Sequence, residues 1–378
     1  MAKNGVEVSV FEQSPEFVAA GAGIQLSPNC TRVLHDLGLE SALREPAFLP
    51  QGTQFRHWRT GKVISESILG EAVLQRYGAP YYHIHRGDFL EILAAKATES
   101  PNIEIHLNAS VSEFSQDESG VSVLVKNVRH QGDVLIGADG IHSAIHARLW
   151  GDETPRFTGN VAWRALVPTS SLPRDLVRPM STIWWGPEKH FVHYYVCNGE
   201  FVNCVCVVEK AGWEVESWVQ PGDLDELKQD FAGWHDDIQQ LINHAEEGSL
   251  YKWALFDRAP MAQWGQGRVT LLGDACHPTL PFMAQGAAMA IEDAAVLTSC
   301  LLNASDIEES LQIYEELRRP RTASIQAGSR RNAKVFHLAG AKAWARDLAT
   351  SRAGGHAMDN LFKYNALEVG TASQPEKN

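Results

Sequence analysis

The hydrophobic pattern at both ends of the chain alternates between short apolar runs and amphipathic stretches, as strands followed by helices do. The β-branched run VEVSVF (6–11) predicts a strand, and MAKNG before it predicts a last helical turn closed by Gly5. Segments 133–150 and 268–302 each predict a strand, a glycine-containing loop and a helix. Strands that alternate with helices indicate an α/β fold with a parallel sheet.

Three other segments carry apolar residues at helical spacing. Residues 25–43 predict one capped helix entered from a loop, and residues 85–100 predict an amphipathic helix that begins near Gly87–Asp88. A long charged helix is expected over about 305–335, whereas the polar end of the chain, from about 366, is expected to fray.

The middle of the chain has a different pattern. Strand-like runs such as VAWRALV and HFVHYYVC dominate residues 160–256, which predicts an antiparallel sheet with one helix around 222–246. Because α/β segments flank this β-rich block, we expect the domains to be interleaved in sequence. The expected units are an α/β domain of residues 1–50, 85–158 and 257–340, a β-rich domain of 51–84 and 159–256, and a C-terminal helix with a polar tail over 341–378.

Composition narrows the class of protein. The chain has 378 residues, of which 44% are hydrophobic and 21% charged, as in an ordinary globular enzyme. The net charge of −13 argues against a nucleic-acid binder, which needs a basic surface. A local arginine or a helix N-terminus could still hold an anionic small ligand.

The cysteines and the apolar runs bear on the compartment. No C-x-x-C pair occurs, and Cys204 and Cys206 share one face of an apolar run, so we expect core residues and no metal site. The chain has no signal-peptide pattern and no apolar run of about 18 residues. A reduced, cytoplasmic protein without a membrane span is therefore expected.

The order of helix end, glycine, strand and acid at the start of the chain is the order that closes a βαβ dinucleotide-binding unit. In such a unit an acid about 20 residues after G-x-G-x-x-G binds the ribose hydroxyls. Here the acid is Glu12, so the glycine loop would lie before Met1. GAGIQL follows the acid and has Leu26 at the third glycine position, so we interpret Gly21–Gly23 as a loop beneath the ligand. The alternative for Glu12 is an exposed carboxylate at a strand end.

The stretch LLGDACHPTLPFMAQGAAMAIEDA carries the strongest chemical signal. The strand Val269–Leu272 runs into Asp274, whose carboxylate can accept hydrogen bonds from a polyol or a ribose. Gln285, Gly286 and Ala287 open a helix of small residues, so free N–H groups and the positive helix end can stabilise negative charge beside them. The alternative is an ordinary Gly-Pro connection.

Two further signals are weak when taken alone. IGADGIHS places Asp139 and Gly140 after an apolar strand, although D-G is also a common turn. IHRGDFLEIL places Arg86 just before a helix, where it is either a phosphate or flavin contact or a solvent-facing side chain.

Taken in order, these motifs resemble the group A flavoprotein aromatic hydroxylases over about residues 3–335. WRALVPTSSLP and WWGPEKHFVHYYV are similar to the enzymes of that family that act on salicylate, 3-hydroxybenzoate or 6-hydroxynicotinate. The resemblance implies an α/β fold: a Rossmann-like FAD-binding domain with an inserted antiparallel β-sheet substrate domain, as in p-hydroxybenzoate hydroxylase-type flavoproteins.

The resemblance also implies roles for single residues. The implied cofactor contacts are Glu12 and Gln13 at the adenosine ribose, Val111 at the adenine, Gln25 and Arg32 near the flavin, Arg86 on FAD, Asp139 for FAD and NAD(P)H, Asp274 at the ribitol or pyrophosphate, and Gly286 and Ala287 beside the isoalloxazine.

The implied reaction is hydroxylation of a small hydroxylated aromatic acid with NADH or NADPH and O₂, through a flavin C4a-hydroperoxide. Such chemistry needs a group that deprotonates the substrate hydroxyl. His190 and Tyr194 lie four residues apart, so on a strand they share a face, which the resemblance makes pocket-facing, while His193 and Tyr195 point the other way. Aromatic core packing is the alternative for this pair.

Three further expectations concern the substrate pocket and the partners of the protein. Pro281 and Phe282 would shape a dry substrate pocket, since water would discharge the reactive oxygen. No nucleic acid partner is expected, and a homodimer would be in keeping with the family.

The chain departs from the family pattern in having no G-x-G-x-x-G. We expect the first strand and its loop to precede Met1, through an internal start site or a truncated gene model, which leaves unpaired edges in a parallel sheet. The alternative is a natural short form of the protein. Two other functions stay open: another flavin oxidoreductase of the same fold, such as an oxidase, halogenase or reductase, and a chain that binds FAD poorly and is inactive.

Overall fold

The computed structural model describes residues 1–17, 22–213, 215, 220–246, 248–352 and 358–369. Its strands, numbered along the chain, are β1 (Val8–Phe11), β2 (Gly23–Leu26), β3 (Gly52–His57), β4 (Val63–Ile68), β5 (Tyr82–His85), β6 (Ile103–His106), β7 (Val111–Asp117), β8 (Gly120–Val125), β9 (Val128–Gly132), β10 (Leu135–Gly137), β11 (Arg156–Pro168), β12 (Met180–Gly186), β13 (Lys189–Val196), β14 (Phe201–Glu209), β15 (Tyr251–Asp257) and β16 (Val269–Leu271).

The α-helices are numbered in the same way. They are α1 (Pro28–Asp36), α2 (Glu40–Arg44), α3 (Gly70–Tyr77), α4 (Arg86–Thr98), α5 (Ala144–Trp150), α6 (Leu224–Asp230), α7 (Asp236–Asn243), α8 (Gly286–Asn303), α9 (Ile307–Phe336), α10 (Gly340–Arg352), α11 (Asp359–Phe362) and α12 (Ala366–Val369). The helices expected over 85–100 and 305–335 are confirmed as α4 and α9.

A seven-stranded sheet holds the middle of the chain, in the order β15-β11-β14-β13-β12-β3-β4. Its neighbouring strands are antiparallel except for the parallel pair β12 and β3. The antiparallel sheet predicted for 160–256 is therefore confirmed, and it also includes the two strands between residues 52 and 68. The division of the chain into domains stays a prediction.

One face of this sheet is covered by α6 and α7. Trp163 and Phe191 of the sheet pack with Phe231 from the helical layer in one buried cluster. Full burial of such side chains contributes about 1.5–3 kcal/mol each to folding. Cys204 and Cys206 lie in the same cluster, 2% and 1% exposed, which confirms that they are core residues.

The opposite face packs against the turn Pro281–Met283 and the end of α9. Trp185 and Val207 of the sheet cluster there with Phe282 and Phe336. The β-rich layer therefore packs against the segment that leads into α8.

The predicted parallel strands occur as two pairs, β1 with β6 and β10 with β16. Among the described residues each pair is a separate two-stranded ladder. Leu271 of β16 shares a core with Val296 of α8 and Tyr314 of α9, so these helices cover the second ladder. The turn predicted at the start of the chain is confirmed: Gly5 closes the 3₁₀ turn Ala2–Asn4 with a φ of 80°.

Two predicted helices are each divided in the structure. Segment 25–43 begins in β2, continues as α1 and resumes as α2 after Gly38, whose φ is 77°. Segment 222–246 contains α6 and α7, separated at Gly233, whose φ is 74°. Glycine in the left-handed region commonly ends a helix. Apolar residues recur on both sides of each turn. The hydrophobic pattern alone therefore predicted one continuous helix in each segment where the structure has two elements.

Two other expectations were wrong in part. Gly23 was expected in a loop beneath the ligand, but it opens β2 and pairs with His85; Gly21 lies outside the described residues. Residues from 366 were expected to fray, but Ala366 is completely buried and starts α12, because it packs in the core of α8. Residues 370–378 lie outside the described part of the chain.

None of the helices in the described part of the chain combines the length and the apolar composition that a membrane crossing requires.

Substitution of Gly137 by alanine should weaken the contact between β10, β16 and α5. A Cβ on Gly137 would lie 2.8 Å from Leu271 Cδ2 and 2.9 Å from Ile145 Cβ. Overpacking of this kind costs about 1–3 kcal/mol, so the free energy of unfolding in urea should fall by about that amount. The control is Gly132→Ala, whose Cβ would meet no atom nearer than 3.9 Å. An equal loss in both variants would contradict the close-packing argument.

Candidate active site

The turn after β16 presents the carboxylate of Asp274. Gly273–Ala275 form a 3₁₀ turn in which Gly273 has a φ of 63°. Solvent reaches the Asp274 side chain, yet the protein packed around it raises the pKa of the carboxyl, an effect opposed by His277 and Arg86. Asp274 is therefore a solvent-accessible carboxylate at the carboxyl end of β16.

The N-terminus of α8 follows the turn that carries Asp274 and is the second part of the candidate site. Met289 N donates to Gln285 O, so the N–H groups of Gly286, Ala287 and Ala288 precede the first intrahelical bond. The Gln285 side chain is held by Ser27 and Asn29, at 3.0 Å from each. A Cβ on Gly286 would meet only Thr279 Cγ2, at 3.5 Å. The helix end predicted at Gln285–Ala287 is confirmed and is open to close approach.

A buried network of charges fixes this turn to the helices. Asp293 of α8 lies 2.5 Å from His277 Nε2 and accepts from Arg318 Nε at 2.6 Å. It also accepts from the backbone N–H of Gly273, at 3.2 Å. Burial would raise the pKa of Asp293, but His277 and Arg318 outweigh it and lower the pKa to about 2.

Glu292 extends the network to α1. Arg318 Nη2 lies 2.8 Å from Glu292 Oε2, and Asn29 Nδ2 donates to Glu292 Oε1 at 2.6 Å. Arg321 binds both oxygens of the same carboxylate, at 2.7 Å each. Sequence reasoning missed Glu292, Asp293 and Arg318. A signal was present, since two adjacent carboxylates in an otherwise small and apolar helix need buried partners.

Arg86 is the first residue of α4, and its backbone N–H donates to Ala22 O at 2.8 Å. Its charge lies close enough to Asp274 and Arg164 to shift the pKa of each. Arg86 and Asp274 therefore influence each other electrostatically, while their separate roles toward FAD stay predictions.

The residues expected at the adenosine also converge. Glu12 follows β1, and its Oε1 accepts from Ser14 N at 2.8 Å. The backbone oxygen of Glu12 accepts from Ala109 N at 2.7 Å, which places the start of β7, at Val111, beside it. Gln13 is exposed.

Three other expected cofactor residues are engaged by the protein itself. Gln25 donates to Ser181 Oγ at 3.1 Å, so it links β2 to the large sheet. Arg32 donates to the backbone oxygens of Tyr364 and Tyr77, at 2.7 and 2.5 Å. Asp139 Oδ2 accepts from the first N–H groups of α5, at 2.7 Å from Ala144 N. Their roles toward FAD stay predictions.

The alternation predicted for β13 is confirmed, while the place of His190 and Tyr194 in a substrate pocket stays a prediction. His190 lies against Phe282, with ring centroids 5.0 Å apart, and Tyr194 lies against His83 at 4.5 Å. His193 faces the helical layer, where its Nε2 accepts from Trp184 Nε1 at 3.0 Å. Burial lowers the pKa of His190 and raises that of Tyr194, so both are neutral near pH 7.

The expected pocket residues lie in the turn before α8. Phe282 is 6% exposed, whereas Pro281 is open to solvent. A cavity of about 420 Å³ is lined by Arg156, Asp257 and Arg258 instead, and it includes none of the residues assigned to FAD or to the substrate. The candidate active site is therefore identified from the side chains that line it, since this cavity lies elsewhere.

An accessible strand-end carboxylate, a cation beside it and an open helix N-terminus together define a site for a nucleotide cofactor in an α/β protein. The family model described as "FAD binding domain" matches residues 1–329, and the chain belongs to this family.

The chain is 40% identical over 341 residues to a 3-amino-4-hydroxybenzoate 2-monooxygenase of Streptomyces platensis, covering 88% of this chain and 83% of the relative. It is 35% identical over 337 residues to 6-hydroxynicotinate 3-monooxygenase of Pseudomonas fluorescens, covering 87% of this chain and 86% of the relative. A salicylate hydroxylase substrate complex superposes with a TM-score of 0.79 and 25% identity, covering 94% of this chain and 92% of that one. The resemblance to flavoprotein aromatic hydroxylases and the expected fold are confirmed.

The protein is thus a flavoenzyme of the aromatic monooxygenase kind, with FAD as its cofactor. The residues present fit such a cofactor. Asp274 can accept from sugar or ribitol hydroxyls, while Arg86 and the N-terminus of α8 suit phosphate or flavin charge. Gly286 leaves room for a flat ring to approach the backbone.

Replacement of Asp293 by asparagine should destabilise the protein strongly. The amide keeps the shape but leaves Arg318 short of one carboxylate in the interior, a change that costs about 3–5 kcal/mol. The Asp293 carboxylate stabilises the fold above its unfolded pKa of 3.8, and this contribution is lost as the pH falls through about 2. Urea unfolding should therefore show a gap from wild type that is full at pH 7 and narrows below pH 4.

The control for this variant is Glu40→Gln, which breaks an exposed pair with Arg44 whose atoms lie 3.0 Å apart. It should change the free energy of unfolding by less than about 1 kcal/mol. A gap for Asp293→Asn that is small, or that does not depend on pH, would refute the structural role of the network.

Proposed function

We propose that the protein hydroxylates a small hydroxylated aromatic acid, consuming NADH or NADPH and O₂. The observation that carries this proposal is the position of His190, on the sheet face that packs against Phe282 in the turn leading to α8. A basic side chain then stands beside the wall of the cofactor site, where a substrate hydroxyl would need it.

The substrate class is supported by the names of the relatives. 3-Amino-4-hydroxybenzoate and 6-hydroxynicotinate are both aromatic rings that carry a carboxylate and a hydroxyl. A site for such a molecule needs a cation for the acid, a proton acceptor for the hydroxyl and apolar walls for the ring.

Cofactor binding is assigned to residues on both ladders. Asp274, Arg86 and the N-terminus of α8 would hold the central part and the flavin of FAD, with Gly286 and Ala287 beside the ring. Glu12, Gln13 and Val111 would hold the adenosine. FAD held there would supply the redox chemistry of the reaction, in which NAD(P)H is the reductant, one oxygen atom of O₂ enters the aromatic ring and the other leaves as water.

The chain's own residues would accept the proton of the substrate and exclude water from the site. Neutral His190 would accept the proton of the substrate hydroxyl, which makes the ring electron-rich, and Tyr194 would donate a hydrogen bond to the substrate. Phe282 and Val192 on the same side exclude water from the ring. Exclusion of water strengthens these polar contacts and protects the oxygen transfer.

Arg164 is the cation for the substrate carboxylate in this proposal. It lies on β11 between the core residues Trp163 and Ala165, so it points to the face that carries His190. Its guanidinium lies 4.4 Å from the ring centroid of Trp253. Burial lowers the pKa of Arg164 to about 10, which leaves it protonated at neutral pH.

The experiment that tests the function begins with the visible flavin absorption of the purified 378-residue protein with added FAD. NAD(P)H oxidation is then measured with a panel of hydroxylated aromatic acids, and ¹⁸O₂ incorporation into product is followed by mass spectrometry. Substrate-stimulated oxidation with labelled product supports hydroxylation. Oxidation without oxygen in the product indicates an oxidase or reductase, and failure to retain FAD indicates the inactive alternative.

Replacement of His190 by asparagine should lower kcat by about 10²- to 10⁴-fold, the usual contribution of a general base. Flavin absorption should be unchanged, because His190 is not assigned to FAD. His193→Asn is the matched control on the same strand. His193→Asn should lower stability, since it removes the hydrogen-bond partner of Trp184. It should keep kcat within about twofold, because His193 lies on the face of β13 opposite to His190.

Replacement of Arg164 by methionine should raise KM about 10-fold or more and change kcat less, because it removes a charge contact that binds the substrate in ground and transition states alike. Substrate analogues without a carboxylate should lose this difference between wild type and variant. Arg59→Met is the control, since Arg59 also stacks on a tryptophan, at 4.4 Å from Trp58. A KM that rises equally in both variants would reject the assignment.

A further inference from the structure

Three side chains form a continuous hydrogen-bonded line from the inner face of the sheet to the surface. His190 Nδ1 lies 2.8 Å from His337 Nε2, and His337 Nδ1 lies 2.8 Å from Glu209 Oε1. His190 is 3% exposed and the side chain of His337 2%, whereas the side chain of Glu209 is 50% exposed. One end of the line is therefore buried beside Phe282 and the other reaches solvent.

The partners come from distant parts of the chain. Glu209 ends β14, and His337 directly follows the last residue of α9. Glu188 N donates to the backbone oxygen of His337 at 3.1 Å, so the hairpin after β12 fixes the ring's position. Phe336 and Phe282 flank the His190 ring, at centroid distances of 5.3 and 5.0 Å.

The order of donors along the line follows from its outer end. An ionised Glu209 carboxylate can only accept, so His337 must donate from Nδ1. Burial lowers the pKa of His337, and also that of His190, so both rings are neutral and carry one proton each. Nε2 of His337 is then an acceptor, which requires His190 to donate from Nδ1.

This order leaves the lone pair of His190 at Nε2. Among the described residues Nε2 of His190 has no hydrogen-bond partner. The hydrogen-bonded line therefore selects the tautomer of His190 whose Nε2 can accept a proton. This nitrogen lies on the side of the ring opposite to His337. The charged groups that face His337 are Glu209, Arg346 and Glu188, and Arg346 is itself bound to Asp347 and to the carbonyls of α9.

We propose that His337 and Glu209 are positioning residues that hold His190 as a base at Nε2 and pass the proton it takes to solvent. The inference rests on the proposed function. The substrate O–H bond breaks and the proton binds His190 Nε2; the Nδ1 proton of His190 moves to His337 Nε2, and the Nδ1 proton of His337 moves to Glu209. Glu209 then releases one proton to solvent for the one that entered at His190. The tautomers are restored when the oxygen of the hydroxylated product takes the Nε2 proton of His190 and a solvent proton returns through Glu209 and His337 to His190 Nδ1.

The contrasting view is that the line only ties the end of α9 to the sheet. In that case removal of His337 or Glu209 would lower stability without changing the protonation of His190. The two views are separated by measurements on the ring nitrogens and on the proton itself.

The first experiment is ¹⁵N–¹H long-range NMR of the imidazoles in the protein without substrate, with His190 assigned from its loss in His190→Asn. Wild type should show a protonated Nδ1 and an unprotonated Nε2. His337→Phe, which keeps a ring but offers no acceptor, should move the proton of His190 partly to Nε2. Glu188→Gln removes a charge next to the line but no bond to a ring, and should leave the signals unchanged. A wild-type His190 protonated at Nε2 would overturn the proposal.

The second experiment measures kcat in the FAD-loaded enzyme. Glu209→Ala and His337→Phe should each lower kcat about 10-fold or more, because a histidine base that loses its orienting partner populates the wrong tautomer. Added formate should restore the rate of Glu209→Ala in proportion to its concentration but not that of His337→Phe, and Glu209→Asp should recover part of it. Unchanged kcat in both variants, or no rescue by formate, would overturn the relay.

The two proposals fail separately. Wild-type turnover with no effect of Glu209→Ala or His337→Phe would reject the relay and leave hydroxylation intact. Expected imidazole signals in a protein that hydroxylates none of the aromatic acids would support the selected tautomer and reject the proposed function.

Discussion

The ion pair between Asp293 and Arg318, completely withdrawn from water, is the interaction on which the cofactor side of the molecule depends. One carboxylate holds the turn at Gly273, the imidazole of His277 and the guanidinium of α9. In a low-dielectric interior each of these groups would be costly without the others. The network therefore fixes the turn that carries Asp274 against α8, so the protein itself holds the groups that we propose for FAD in place.

The large sheet contributes the other wall of the proposed site. Its helical face is filled with aromatic side chains, so only the opposite face is available to the α8 side. The period-two alternation of β13 then decides which polar residues reach that wall. His190 and Tyr194 are selected by this geometry, and His193 is excluded by it.

Much of this could be predicted from the sequence because it is local. The order of strand, Asp274 and small-residue helix lies within one continuous stretch, and the alternation in HFVHYY needs only a few residues. The divided helices could not be predicted from apolar spacing, because the left-handed turns at Gly38 and Gly233 do not interrupt it. Partners that are far apart in sequence were missed for a different reason. His190 and His337 are separated by 147 residues, and nothing in either segment indicates the other.

The contact at Gly23 restricts the type of residue that this position can hold. A Cβ there would lie 2.7 Å from Tyr194 Cε2, and the Gly23 N–H donates to Asn203 Oδ1 at 2.7 Å. Backbone of the cofactor side thus touches side chains of the sheet with no space between them. Any side chain larger than hydrogen at position 23 would therefore have to push Tyr194 or Asn203 aside, so only glycine lets the two layers meet this closely.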